Sequence, residues 1–289
     1  MDHFCMIVNS EKDTDYQTAN FIVDYIESRG KTCFITTAFE NGADKDGNYT
    51  KTDEIPKDTE CAIVLGGDGT ILHAAKDLLH LDIPILGVNM GTVGYMAETE
   101  TQNIIPALEK VFEGDCKVEK RLMLYGETKE DGTGSVKAHA LNDIVISRGG
   151  QCRLIVIHLY INDLLIDTYV ADGLIVSTPT GSTGYNLSAG GPVMKPGIDA
   201  LVVTPICPHS LNKRSLVISS EDKIRLKIGQ RKESLQDEAI AFFDGCEECQ
   251  MKSGDAIEIK RAEECTKIIK ITENSYFDIL KNKLGRERV

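Results

Sequence analysis

Cys61-Ala62-Ile63-Val64-Leu65-Gly66-Gly67-Asp68-Gly69-Thr70 is the stretch that decides the fold. Its first five residues are apolar without a break, which reads as a strand buried on both faces. The strand runs straight into a glycine-rich turn, and a helix follows through Leu79. In an open α/β sheet, ligands bind at such strand ends. Glycines let the backbone approach a phosphate, and the next helix points free amides at it. Neither a GxGxxG fingerprint nor a GxxxxGK[ST] loop is present. The carboxylate of Asp68 suits a metal ligand or a general base. The pentapeptide alone fits equally well a glycine turn with a solvated or helix-capping Asp.

Outward from this loop, strand and helix alternate. Phe4 to Val8 is a short apolar run. Thr14 to Gly30 carries Ala19, Ile22, Val23 and Ile26 at helical spacing and ends in a capping glycine. Lys31 to Ala38 is rich in β-formers, Phe39 to Thr59 is a long polar loop, and Ile83 to Val88 is a second buried strand. Gly87 to Tyr95 is again glycine-rich, and two such turns at neighbouring strand ends favour a ligand crevice over a purely structural role. This order predicts an α/β N-terminal domain with a parallel sheet. After a helix near Asn103 to Phe112 the chain becomes strand-rich from Cys116 to about Lys270. Asp131-Gly132 and Asn162-Asp163 are expected hairpin turns, and Leu154 to Tyr160, Gly173 to Ser177 and Lys223 to Ile228 are expected strands. Tyr276 to Leu284 is an expected amphipathic helix. The expected domains are an α/β domain over residues 1–100 with 270–289 and a mainly β domain over 101–269.

The chain has 289 residues, 42% hydrophobic and 27% charged, an ordinary soluble composition. A chain of this length buries about 75% of its unfolded surface and needs no disulfide or metal to build a core. The net charge of −13 argues against nucleic acid and anionic membranes as partners. It leaves room for an anionic small substrate held by local amides, a metal or a few cations. No apolar run of membrane-spanning length occurs, and Met1 to Val8 lacks a basic signal-peptide region. Nine cysteines, several in apolar runs, fit a reducing compartment, so a cytoplasmic location is expected. Cys246 and Cys249 form a lone CxxC without a second ligand pair, read as ordinary thiols and not as a zinc or redox site.

A third segment runs from Asp172 to Pro192. It places Thr178-Pro179-Thr180-Gly181-Ser182-Thr183-Gly184-Tyr185-Asn186-Leu187-Ser188 after the buried strand Gly173 to Ser177. So many small donors and acceptors suit a sugar or a base.

With these blocks together the sequence resembles the bacterial NAD kinases. The resemblance is carried by Gly66-Gly67-Asp68-Gly69-Thr70, Asn89-x-Gly91-x-x-Gly94-Tyr95, Asn142-Asp143 and the Asp172 to Pro192 segment. Weaker support comes from Thr204 to Leu211, Arg214-Ser215-Leu216 and the Tyr276-Phe277-x-x-Leu280 tail. The first block is shared with lipid kinases and distantly with phosphofructokinases; the long segment singles out NAD kinases. The resemblance implies an NAD kinase/diacylglycerol kinase-like fold and phosphorylation of the adenosine ribose 2′-hydroxyl of NAD. It implies Asp68 as proton acceptor and Asp68 with Gly69 as substrate contacts. Asn142 and Asp143 are implied at the adenosine end. Asp172, Thr183, Gly184, Tyr185, Asn186, Leu187 and Ser188 are implied to bind NAD, partly across a subunit boundary, in a homodimer or homotetramer. Arg153 lies at the spacing of a binding arginine. His73, one turn beyond Asp68, is open between a phosphate contact and a packing role. The resemblance implies ATP or inorganic polyphosphate as donor and a divalent cation, Mg²⁺, as cofactor, borne largely by substrate oxygens and water, with no residue assigned as a dedicated metal ligand.

The chain departs from its relatives at Gly184, where they often have Ala, at Val170, where they often place a cation, and at Cys246, where they often carry Gln. These changes touch nucleotide affinity more than chemistry. Two rivals are a lipid kinase, which leaves the Asp172 to Pro192 block unexplained, and a non-catalytic dinucleotide sensor, which has no need of Asp68.

Overall fold

The computed structural model describes residues 1–37, 48–91, 94–129, 136–150, 153–230, 237–271 and 276–284. The expected turn at Asp131-Gly132 lies outside them, as does Cys152. The chain divides into two compact units, Met1–Lys120 with Thr266–Val289, and Arg121–Cys265.

The first unit opens with β1 (His3–Val8), α1 (Gln17–Ser28), β2 (Thr32–Thr37), β3 (Cys61–Gly66), α2 (Asp68–Asp77) and β4 (Ile85–Asn89). A two-residue β5 (Thr99–Glu100) and α3 (Ile104–Glu113) follow. The strands lie in the order β4-β3-β1-β2, all parallel. Side chains alternate across a strand. Phe4, Met6 and Val8 of β1 and Cys61, Ile63 and Leu65 of β3 therefore share one face. They pack with Ile22 and Ile26 of α1 and with Ile104, Leu108 and Val111 of α3. The intervening Cys5, Ile7, Ala62 and Val64 are equally buried on the other face. That two-sided burial is why these strands read as unbroken apolar runs.

The order β4-β3-β1-β2 contains a change of direction. From β1 the chain winds to β2 on one side, then returns to the other side of β1 for β3 and β4. The connections diverge between β1 and β3, and a crevice opens there at the carboxyl ends of the strands.

The second unit takes in most of β6 (Lys117–Lys129), then β7 (Lys137–Ala140), β8 (Asp143–Arg148), β9 (Ile155–Ile161), β10 (Leu164–Ala171) and β11 (Gly173–Ser177). A short α4 (Tyr185–Ser188) is followed by β12 (Ala200–Ile206), β13 (Leu216–Ser219), β14 (Ile224–Ile228), β15 (Glu238–Phe243), β16 (Glu247–Lys252) and β17 (Ala256–Lys270). One antiparallel sheet runs β13-β12-β11-β8-β15-β16. In the other, β10, β9, β14 and the first half of β17 pair antiparallel. Their inner residues, among them Leu174, Val176, Ile157, Leu159, Leu226 and Phe243, form one core. The expected hairpin turn is at Asn162 and Asp163, whose φ values of 50° and 66° give the left-handed pair that twists with the strands. The helix expected from Tyr276 is α5 (Tyr276–Leu284).

The units divide at Lys120 and Arg121, not at residue 100. Helix α3 fills the core of the first unit, so the composition change marks the start of the β-rich chain and not the end of the α/β body.

Candidate active site

The loop after β3 is shaped by its neighbours. Gly67 caps α2, and Thr70 turns its hydroxyl back toward the Gly67 amide at 3.4 Å. Asp68 is the first residue of α2, yet its carboxylate does not cap that helix. It accepts the amide of Tyr95 at 2.7 Å on one oxygen and that of Met96 at 3.1 Å on the other. The second glycine turn is thereby tied to the first. A methyl group on Gly94 would sit 1.7 Å from Asp68 Oδ1, so glycine there is a requirement of space. The main chain closes the same corner, with Met90 N donating to Gly66 O at 3.0 Å. Asn89, at the end of β4, is buried and keeps a side-chain oxygen that no described residue engages.

His73 lies on the same helix and is half-buried. Its ring stacks on Tyr49 at 3.8 Å between centroids. Burial, helped by Lys76, lowers its pKa. Asp77, one turn further on, accepts the Tyr49 amide at 2.9 Å.

In the second unit, Asn142 and Asp143 open β8. Their backbone is held by a residue the sequence reading did not assign to the site. Asp244 accepts the amides of Leu141 at 2.7 Å, Asn142 at 2.8 Å and Asp143 at 3.0 Å, and returns its own amide to Asp143 O at 3.0 Å. Asp244 can face these amides because Asp244-Gly245 forms the β15–β16 turn with φ of 52° and 75°. The Asp-Gly pair is itself a hairpin signal, and it was the available clue. Asp143 is 6% exposed. Burial, and then the charge of Asp244, push its pKa up to about 7. Asn142, Asp143, Tyr185 and Asp244 line one cavity of 430 Å³.

The segment from Thr178 to Met194 is held from within. Asn142 O accepts the Thr178 amide at 2.9 Å, and the Thr178 hydroxyl donates to Leu141 O at 2.6 Å. Ser182 bridges Pro179 O and the Met194 amide. Asn186 is fully buried; its amide donates to Ser182 O and Pro192 O, and its oxygen accepts from Thr204. Asn186 therefore shapes the segment from inside and presents no free polar atom. Gly184, Tyr185 and Ser188 lie outward, while Thr183 and Leu187 are half-buried on the same turn. Asp172 sits at the β10–β11 corner, where Arg148 Nε meets its carboxylate at 2.8 Å and the Arg148 amide meets its carbonyl at 2.9 Å. Arg153 is exposed and has no ion-pair or hydrogen-bond partner among the described residues. Cys246 and Cys249 are not joined in a disulfide; Cys249 packs in the core of the second unit.

In the first unit, a carboxylate fixed at a glycine loop suits phosphoryl transfer; in the second, a cavity with an acidic and aromatic lining suits a nucleoside. The comparisons agree. The model of the ATP-NAD kinase N-terminal domain matches residues 4–116, and that of the ATP-NAD kinase C-terminal domain matches 141–271. The NAD kinase of Lachnoclostridium phytofermentans is 44% identical over 99% of both chains. This chain belongs to the NAD kinase family. That of Agathobacter rectalis is 40% identical, again over 99% of each chain. Yeast NADH kinase complexed with NADH shares the fold, with a TM-score of 0.83, 24% identity, and coverage of 100% of this chain and 89% of its own. An NAD kinase from Archaeoglobus fulgidus in complex with ATP gives 0.75 at 24% identity, over 98% of each.

Proposed function

We propose that this NAD kinase family member transfers a phosphoryl group from ATP to the 2′-hydroxyl of the adenosine ribose of NAD, with Asp68 accepting the hydroxyl proton. The observation that carries the reading is the Asp68 carboxylate, held in one orientation by two amides of the neighbouring glycine turn. Each oxygen keeps a lone pair beyond the amide bond, so one can take the proton as the ribose oxygen attacks phosphorus. The breaking bond is that between the transferred phosphorus and the donor's bridging oxygen. Positioning and charge neutralisation do the rest. Asn142, Asp143 and Tyr185 hold the adenosine end. Asp172 and the outward residues of 183–188 hold the remainder of NAD.

The Asp68 carboxylate, with a lone pair left on each oxygen, is a protein group that would be available to a divalent ion carried by the donor's phosphates. The ion supplies neutralisation of phosphate charge. Purified protein given NAD, ATP and Mg²⁺ is expected to form NADP, read with an NADP-specific dehydrogenase. No NADP from either ATP or polyphosphate overturns the reading. The family's shared NAD site makes the working unit an oligomer; light scattering is expected to give a dimer or tetramer, and an active monomer at assay concentration contradicts this.

Asp143 makes the free protein's stability depend on pH. Its folded pKa of about 7 lies above the unfolded carboxylate value of 3.8. The folded state therefore binds more protons between these values, and stability falls as pH rises through that window. The cost is absent below about pH 4 and full above about pH 7, on the order of 4 kcal/mol before relaxation. Asp143→Asn, neutral throughout, should lack this component. Denaturant titrations of both proteins from pH 4 to 8 check it, and parallel stability curves would show that Asp143 ionises freely.

A further inference from the structure

The crevice between β1 and β3 contains a second charged group, whose assignment rests on the kinase reading. Asn9, just beyond β1, donates its amide to Leu65 O at 3.1 Å and its side-chain NH₂ to Thr70 Oγ1 at 3.1 Å. Its carbonyl accepts the amides of Lys12 and Asp13, and its side-chain oxygen accepts those of Glu11 and Lys12. This turn is pinned to the Asp68 loop at one end. At the other, the Asp13 carboxylate accepts the amides of Thr18 and Ala19 at the start of α1. Lys12 is carried on that fixed backbone over the glycine loop. A Cβ added to Gly67 would lie 2.9 Å from Lys12 Nζ.

The ammonium has no counter-charge in hand. Lys12 is exposed, with no hydrogen-bond or ion-pair partner among the described residues. Asp13 is committed to α1, and Asp68, held by Tyr95 and Met96, makes no ion pair with Lys12 among the described residues. His73, the other basic residue considered at this loop, is half-buried and stacked on Tyr49. A protein of net charge −13 must provide a local cation to draw in a polyanion. Bare backbone at Gly67 lets a phosphate come close beneath the ammonium.

We propose that Lys12 binds the phosphate chain of the phosphoryl donor. A lysine is suited to this as a compact point charge that needs no bidentate geometry. The shared chemistry of the two candidate donors, ATP and inorganic polyphosphate, is a run of anhydride-linked phosphates, and Lys12 serves either.

The test compares Lys12→Met, which keeps the stem, with Lys12→Arg, which keeps the charge. Initial rates are measured against each substrate, and binding of Mg·ATP and of Mg·tripolyphosphate is measured by calorimetry without NAD. Lys12→Met should raise KM and Kd for ATP by roughly 10- to 100-fold, as expected for one charge-assisted phosphate contact. KM for NAD should stay within about twofold. Lys12→Arg should restore most of the ATP affinity. Thermal melts of all three proteins should coincide, since the side chain is exposed. Tripolyphosphate, where the wild type binds it, should weaken in parallel; weakening of ATP alone would place Lys12 at the nucleoside and overturn the proposal. Unchanged KM and Kd for ATP in Lys12→Met also overturn it. A wild type that makes no NADP from either donor would sink the kinase reading instead, and the calorimetric arm would still judge Lys12.

Discussion

Asp68→Asn is expected to lower kcat by about 10²–10⁴-fold, the usual worth of a positioned general base. The sequence alone suggests that this near-isosteric change leaves the loop intact. The geometry says otherwise. Both carboxylate oxygens accept main-chain amides, from Tyr95 and Met96. Asparagine has one acceptor oxygen, so its NH₂ must face an N–H, and a stability loss of about 1–3 kcal/mol should accompany the rate loss. Gly94→Ala separates the two effects. It keeps the carboxylate but drives a methyl into the space of Asp68 Oδ1, 1.7 Å away. It should lower kcat by displacing the proton acceptor while the acid itself survives. The measurements are kcat across a Mg²⁺ titration, NAD affinity by calorimetry and a thermal melt. A proton-acceptor defect does not recover with added metal. Near-wild-type turnover in Asp68→Asn would move the chemistry to another residue.

Asp244→Ala is expected to destabilise the second unit by about 3 kcal/mol and to weaken NAD binding without a matching fall in kcat. Three amides lose their acceptor at once, at Leu141, Asn142 and Asp143. An opposing effect is relief of repulsion on Asp143. It is the smaller one, because burial comes before Asp244 among the causes of the raised Asp143 pKa. Asp244→Asn can keep the oxygen that serves Asn142 and Asp143 and lose only the bond from Leu141, so its effects should be intermediate. Denaturant unfolding and KM for NAD in the three proteins provide the check. An Asp244→Ala protein with wild-type stability and KM would mean that the β8 entrance holds its shape unaided.

Much of this was visible in the sequence because local patterns carried it. The strand at Cys61 was legible from its unbroken apolar run, Gly173–Ser177 from its buried run, and Tyr276–Leu284 from helical spacing. The glycine turns advertised a ligand loop. What stayed hidden depends on contacts between distant positions. The placement of β1 between β2 and β3 creates the crevice, yet no local pattern encodes strand order. Asp244 escaped notice as a site residue because the amides it serves are 101 to 103 positions away. The ring stack of His73 on Tyr49 joins helix α2 to a distant loop position that helical phase alone does not reveal. The internal hydrogen bonds of Asn186, to Ser182, Pro192 and Thr204, likewise depend on the folded segment and leave no local pattern.

The first unit is written in two separate pieces. Ile269 and Ile271 belong to its core beside Phe4, Met6 and Ile63, and Ile268 pairs with Ile85 at the edge of β4. A ribosome delivers these residues only after every residue of the second unit. The β-sandwich can thus mature on the nascent chain while the Asp68-bearing sheet still waits for its final strand. Domains made during synthesis usually fold in order from the N-terminus. Here the chain allows the inverse order, in which the β-rich unit is complete during translation before the unit that carries Asp68.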